Sequence, residues 1–259
     1  MKRFSLVAMA MLSLSALTLN ADSLGGEIGV GAWQHDPSGW IKYPNYVPDN
    51  QSKLDLDGDL NLDSDADIYA YAKFEHPIPI IPNVRVAYQR NHTAGDGRIS
   101  RQFTFGDITY SANEPVHSET KFDTIDGTLY YEVIDMGIDL DIGLTARYID
   151  GHAQVRAKDI SGKVVNEDKD FTFVAPMLYA NVRIPIPLVE GLSIDAEGNG
   201  IGYDGNALYD IQGSIRYIIT MGLGVEAGYR YEKIKLDDVN DVDADVEFSG
   251  FYGGVVWDF

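Results

Sequence analysis

The feature that most constrains this chain is an alternation of apolar and polar residues with period two, which starts near Ser23 and recurs to the last residue. Successive side chains of a strand point to opposite faces, so the pattern marks strands with one apolar face. It shows in Ile68, Ala70, Ala72 and Phe74 set against Tyr69, Tyr71, Lys73 and Glu75. It shows again in Leu140, Ile142, Leu144, Ala146 and Tyr148 against Asp139, Asp141, Gly143, Thr145 and Arg147. Leu223, Val225, Ala227 and Tyr229 likewise oppose Glu226 and Arg230. No helical period competes, and ten such runs are expected to form ten strands of an all-β fold.

The connections sort into two kinds. Short turns marked by Pro or Gly join runs at His76–Asn83, Ile134–Gly137, Pro185–Gly191 and Ile219–Gly222. The others are mostly longer and polar: His35 to about Leu54, Thr93–Lys121, His152–Asp170, the brief Gly200–Gly205, and Lys233–Asp245. Short and long connections alternate along the chain, as they must in an up-and-down antiparallel barrel with tight turns at one end and loops at the other.

Charge narrows the function. The 259 residues carry 40 acids and 20 bases, for a formal charge of −20. Phosphate contacts need a cationic surface, so no nucleic-acid partner is expected. Cysteine is absent, which removes thiolate metal sites and cysteine nucleophiles. A mean hydropathy of −0.16 is too polar for a helical membrane protein but says nothing against strands. Met1-Lys2-Arg3 followed by an apolar stretch to Leu19 reads as a secretory signal over residues 1–21, cut after Ala21. Residues 22–259 would then form one barrel domain, and loss of Lys2 and Arg3 leaves it at −22.

Period two alone does not say which face meets what, since a soluble sandwich alternates too. The polar parity carries Lys73, Glu75, Arg85, Asp126, Glu132, Asp139, Asp141, Arg147, Arg183, Asp195, Glu197, Asp210, Arg216, Glu226 and Arg230 at mid-strand positions. We expect these charges to line a lumen. The chain stops at Phe259, with Phe251, Val255 and Trp257 on the same parity. This looks like the signal by which bacterial outer-membrane barrels are handed to their assembly machinery. The chain resembles the small outer-membrane barrel proteins of proteobacteria, in particular a family of about this length named for a Gly-Gly motif. Gly25-Gly26 and Gly253-Gly254 are the matching elements. The resemblance implies a barrel in the outer membrane of a Gram-negative bacterium, in contact with its lipid, and brings no catalytic site and no cofactor.

A barrel of about ten strands is narrow enough for its side chains to fill. The nine acids and six bases assigned inward therefore either pair into a plug or, with acids in excess, line a narrow cation-preferring pore. The expected function is accordingly a structural barrel or a porin-like channel with acidic extracellular loops. The odd-numbered carboxylates from Asp55 to Asp67 suggest one ribbon running from Leu54 to Phe74 and rising well beyond the membrane, with Leu54, Leu56, Leu60 and Leu62 on the lipid side. Those carboxylates, with Asp241, Asp243, Asp245 and Glu247, are a possible meeting place for divalent cations, although they lack the order of an EF-hand loop. Near Ser249 the apolar parity passes from Val246 and Phe248 to Phe251, which predicts a bulge. The alternative function is a hydrolase acting at the long-loop end, where His35, His92, His117 and His152 fall. His117-Ser118-Glu119 is adjacent only in sequence, which is poor grounds for a triad. No Asp-His pair facing an Asp pair, as in the omptin proteases, can be picked out of the sequence. A non-enzyme is therefore expected.

Overall fold

The computed structural model describes residues 24–259 except Pro79 and Ile99; the expected signal segment lies outside them. The strands are β1 (Gly25–Lys42), β2 (Lys53–Asp55), β3 (Asp65–Glu75), β4 (Asn83–Gln89), β5 (His92–Arg98), β6 (Phe103–Phe105) and β7 (Ile108–Tyr110). They continue as β8 (Pro115–Asp135), β9 (Asp139–Lys158), β10 (Val164–Pro185), β11 (Leu192–Tyr203), β12 (Asn206–Thr220), β13 (Leu223–Val239) and β14 (Val242–Asp258). One helical turn, Asp49–Ser52, precedes β2. Each long strand pairs antiparallel with the next, and β14 pairs with β1 to close the barrel. Both β4 and β5 pair with β8, so together they make one stave of ten. The fold is a closed, antiparallel, ten-stave barrel. β6 and β7 form a separate hairpin in a loop.

Turn chemistry explains the tight end. At Met221-Gly222 both residues have positive φ (47° and 78°), the two-residue connection whose twist suits a hairpin. A Cβ on Gly222 would lie 1.7 Å from the Asp258 carbonyl, so only glycine fits. Asp204-Gly205 (49° and 82°) makes the same turn at the opposite end, between β11 and β12.

The barrel has two storeys that differ in what they bury. In the lower one, next to the tight turns, the apolar parity faces outward. Ile142, Leu144, Leu178, Ile211 and Ile215 are all half exposed or more. Exposed rings flank this apolar band: Tyr88, Tyr148, Tyr209, Tyr229 and Phe251 above, Phe74, Tyr131, Tyr217, Trp257 and Phe259 below. From Ile138 to Tyr148 the outward run rises about 23–27 Å for a strand tilted about 35–45°. In the upper storey the polarity inverts. Phe122, Ile149, Val155, Phe171, Ile234, Leu236, Val246 and Phe248 are buried inside, while Asp150, Arg156, Asp168 and Asp170 face out.

This inversion corrects several expectations. The segment 54–62 is no ribbon and does not meet the outer surface. After β2 it coils, with Gly58 N donating to Asp55 Oδ1 at 2.7 Å and Leu62 N to Leu56 O at 2.9 Å. Leu54, Leu56, Leu60 and Leu62 insert into the upper storey, each at most 4% exposed. β3 starts only at Asp65; the strands that overshoot the apolar band are β1, β8, β9, β10, β13 and β14. The expected long connections 93–121, 152–170 and 233–245 are mostly strand. No bulge lies near Ser249: Trp33↔Tyr252, Asp36↔Ser249 and Pro37↔Phe248 keep one register. Val246 and Phe248 point inward and Phe251 outward because the surroundings change from apolar core to apolar exterior, while the strand runs straight through.

Candidate functional site

The lower storey places most of the sequence-assigned charges inside the barrel and joins them. Arg147, on β9, is the centre of the upper knot. Its Nε and Nη2 donate to both oxygens of Asp126 at 2.8 and 2.7 Å, Nη2 also to Asp210 at 2.5 Å, and Nη1 to Glu232 at 2.9 Å. Arg230 makes a second two-pronged contact with Asp210, at 2.8 and 2.6 Å. Glu232 accepts further from Asn91 (2.8 Å) and Gln89 (3.3 Å). Every member is buried or nearly so, and such matched geometry is what offsets the desolvation of charges in a closed interior.

A second knot lies nearer the tight turns. Arg183 spans Asp195 (2.6 Å) and Glu27 (2.7 Å). Arg216 also binds Glu27, and donates to Glu226 at 3.1 Å and Tyr71 at 2.8 Å. Tyr69 donates to Glu226 at 2.8 Å. Between the knots Arg85 pairs with Glu197 at 2.6 Å, and Lys73 stands 4.0 Å from Asp141. Small residues make the room: a Cβ on Gly29 would strike the Tyr71 ring at 2.3 Å. Three of the assigned residues sit at the tight-turn mouth instead of the interior. Glu75 accepts from Tyr130 at 2.8 Å, Asp139 is half-buried, and Glu132 is exposed beside the irregularity between Glu132 and Ile134.

Little space is left. Two cavities of about 20 Å³ lie on either side of the Arg85–Glu197 pair, sharing Tyr71 and Gln212 as lining. Each has room for a water or two. Buried atoms without a protein partner, Glu27 Oε1, Arg85 Nε and Arg216 Nε, belong to residues lining the lower cavity. Above the Arg147 knot the apolar core of the upper storey begins, with Trp33, Phe122 and Phe248.

The histidines at the loop end do not converge. His92 Nε2 lies 2.9 Å from Asp123, His117 Nδ1 2.9 Å from Asp96, and His152 Nδ1 2.6 Å from Asp170, all on the outer wall. His35 is fully buried between the Trp33 and Phe248 rings, 3.4 Å from Asp67, and its Nδ1 has no partner. Burial pushes its pKa below the ordinary histidine value, against the pull of Asp67. Asp67 itself accepts from Arg90 (3.1 Å) and His92 N (2.5 Å). Asp59 is engaged by Arg101 at 3.0 Å and Ser100 at 2.8 Å, so part of the acidic string serves the loop's own fold. Among the described residues two acid-rich triplets have ligand atoms within 4.8 Å, His152–Asp168–Asp170 on the outer wall and Glu132–Asp135–Asp139 at the mouth.

Glu27 and Glu232, central to the two knots, were not picked out from the sequence. Both lie on the polar parity of their strands, and that signal was available. The two Gly-Gly pairs lie on the closing seam, where Gly31 faces Gly254 and Gly26 exchanges hydrogen bonds with Phe259 at 2.9 and 2.8 Å.

In sequence the chain matches no protein-family model, and no curated protein matches it. In structure it is similar to the outer-membrane protease OmpT of Escherichia coli, with a TM-score of 0.54 and 10% identity over 94% of this chain and 99% of that one. The chain has the fold of an outer-membrane β-barrel. Lower likenesses are found to Ail of Yersinia pestis (TM-score 0.37, 11% identity, 92% and 100% covered) and to a FadL homologue of Pseudomonas aeruginosa (0.38, 9%, 92% and 91%). At such identities the likeness to OmpT is one of fold. No catalytic residues are carried across.

Proposed function

We propose that this protein is a closed, structural barrel of the Gram-negative outer membrane, which meets other molecules through its upper, extracellular storey. The observation that carries the reading is the filled interior: an ion-pair knot around Arg147 with an apolar core stacked above it. The apolar band between two rows of exposed rings fits a thin bilayer and lipid as the barrel's surroundings. The outward row Phe251, Val255, Trp257 and Phe259 fits the handover to the assembly machinery. The Gly-Gly family is the sequence group we propose for the chain, on the two glycine pairs, one on each strand of the seam.

A cation-preferring channel would need both fillings displaced, and the closed reading is the better supported. A non-enzymatic role is supported by the scatter of the histidines, three at separate places on the outer wall and a fourth sealed in apolar packing. The test is planar-bilayer recording of the purified protein. We expect no discrete conductance steps; steps of reproducible size with cation selectivity would replace this reading with the channel.

A further inference from the structure

We propose that the free upper edge of β10 is a strand-addition site for an extended peptide in which cationic and apolar residues alternate. The proposal rests on the reading that the upper storey stands clear of the bilayer. β9 pairs with β10 from Val164 to Arg183, but β11 pairs with it only from Leu178 to Pro185. The cause is the tight turn at Asp204-Gly205, which ends the β11–β12 hairpin below the height that β10 reaches. Across the gap β13 is paired by β12 only as far as Lys235 and runs on to Val239. The wall of the upper storey therefore lacks a stave.

The bonding direction of that edge follows from the ladders. Phe122 and Asn91 exchange backbone bonds at 2.8 and 3.2 Å, so even-numbered residues of β8 face β4–β5 and odd-numbered ones face β9. Carrying the registers through β9 leaves the odd residues of β10 bonded to β9. Val164, Asn166, Asp168, Asp170 and Thr172 then offer N–H and C=O to the gap. Among the described residues no backbone hydrogen bond reaches them from that side. Pro176, which has no N–H to give, falls on this same parity, where a strand tolerates it.

An exposed edge of this length is a template for another strand. Its chemistry selects the occupant. Outward stand the exposed Asn166, Asp168 and Asp170; inward lie Val165, Glu167, Lys169, Phe171 and Phe173, of which Val165, Phe171 and Phe173 pack against the apolar core. A strand laid here sets one row of its side chains beside carboxylates and the other beside Val165, Phe171 and Phe173, with Glu167 and Lys169, opposite in charge, between them; lysines or arginines in the first row and apolar residues in the second fit this edge. A second copy of this chain fits worse, since two β10 edges would bring two acidic rows together.

The experiment uses the full chain in non-ionic detergent micelles and the labelled peptide Ac-(Lys-Val)4-NH2, read by fluorescence anisotropy and amide hydrogen exchange. Binding is expected, with exchange slowed tenfold or more at the even residues from Val164 to Thr172. Asp168→Pro, which removes an N–H facing the gap and leaves the β9 ladder intact, should weaken binding at least tenfold. Asp168→Asn keeps the N–H and should cost only twofold to threefold. Unchanged exchange at Ile149 and Val155 shows that the proline variant is folded. The proposal is overturned by absence of binding, by binding without protection of β10, by an unaffected Asp168→Pro variant, or by equal binding of Ac-(Glu-Val)4-NH2. Conductance enters none of these outcomes, so the closed-lumen reading stands or falls separately.

Discussion

At the scale of residues, Arg147 shows why a charged interior is fragile in one direction only. A buried network that keeps all its partners adds little net stability, while an orphaned charge is costly. Arg147→Met removes one cation and leaves Asp126, Asp210 and Glu232, of which only Asp210 keeps another arginine. A loss of about 3–5 kcal/mol is expected in urea unfolding of the micelle-bound barrel. Adding Asp126→Asn and Glu232→Gln should recover most of it, and no recovery would mean that the arginine acts by packing. His35 gives a pH dependence. Its folded pKa lies below the ordinary value of 6.5, so from pH 6.5 downward the unfolded state binds the proton more readily. Stability of the surrounding packing is then complete above pH 6.5 and falls as the pH drops toward the folded pKa. Protection factors of the amides around Trp33 should fall below pH 6.5, and His35→Gln should flatten that dependence. The parity rule made Arg147, Asp126 and Asp210 legible in the sequence as a set, while Glu232, also on the polar parity of its strand, was missed. Which acid meets which base was not legible, because pairing across the lumen depends on the stagger of ten strands.

At the scale of elements, the number of staves and the tight turns were legible, and the upper storey was not. Alternation reports that one face of a strand differs from the other, without naming the apolar side's neighbour. In β9 the odd residue Arg147 and the odd residues Ile149 and Val155 share one inner face, first in a polar interior and then in an apolar one. In β14 the two halves of the apolar signal fall on opposite parities for the same reason, which imitates a bulge. The coil after β2 was hidden because its leucines and aspartates alternate as a strand would. Its role is testable. Leu56 is 1% exposed and Leu188, in a tight turn, 94%. Leu56→Ala should cost about 2–5 kcal/mol of local stability and speed proteolysis between Pro44 and Asp63, whereas Leu188→Ala should leave both unchanged. Equal proteolysis in the two variants would show that the coil does not depend on its buried leucines.

For the whole molecule, two fillings of different chemistry occupy the same axis in series. In a closed barrel each alone would stop an ion for a different reason. Hydrated cations passing the lower storey must separate Arg147 and Arg230 from carboxylates that already saturate them, and in the upper one they must shed water among Leu54, Phe122 and Phe248. Barriers in series are not removed one at a time. Arg147→Met with Asp126→Asn and Glu232→Gln, joined by Arg216→Met, Glu27→Gln and Glu226→Gln in the second knot, loosens only the lower filling, and serine at Leu54, Leu56, Leu60 and Leu62 loosens only the upper. Both variants are expected to stay silent in planar bilayers, and the combined one to show conductance steps. Current through either partial variant would mean that the remaining filling is no barrier, and the axis would then be closed at one storey alone.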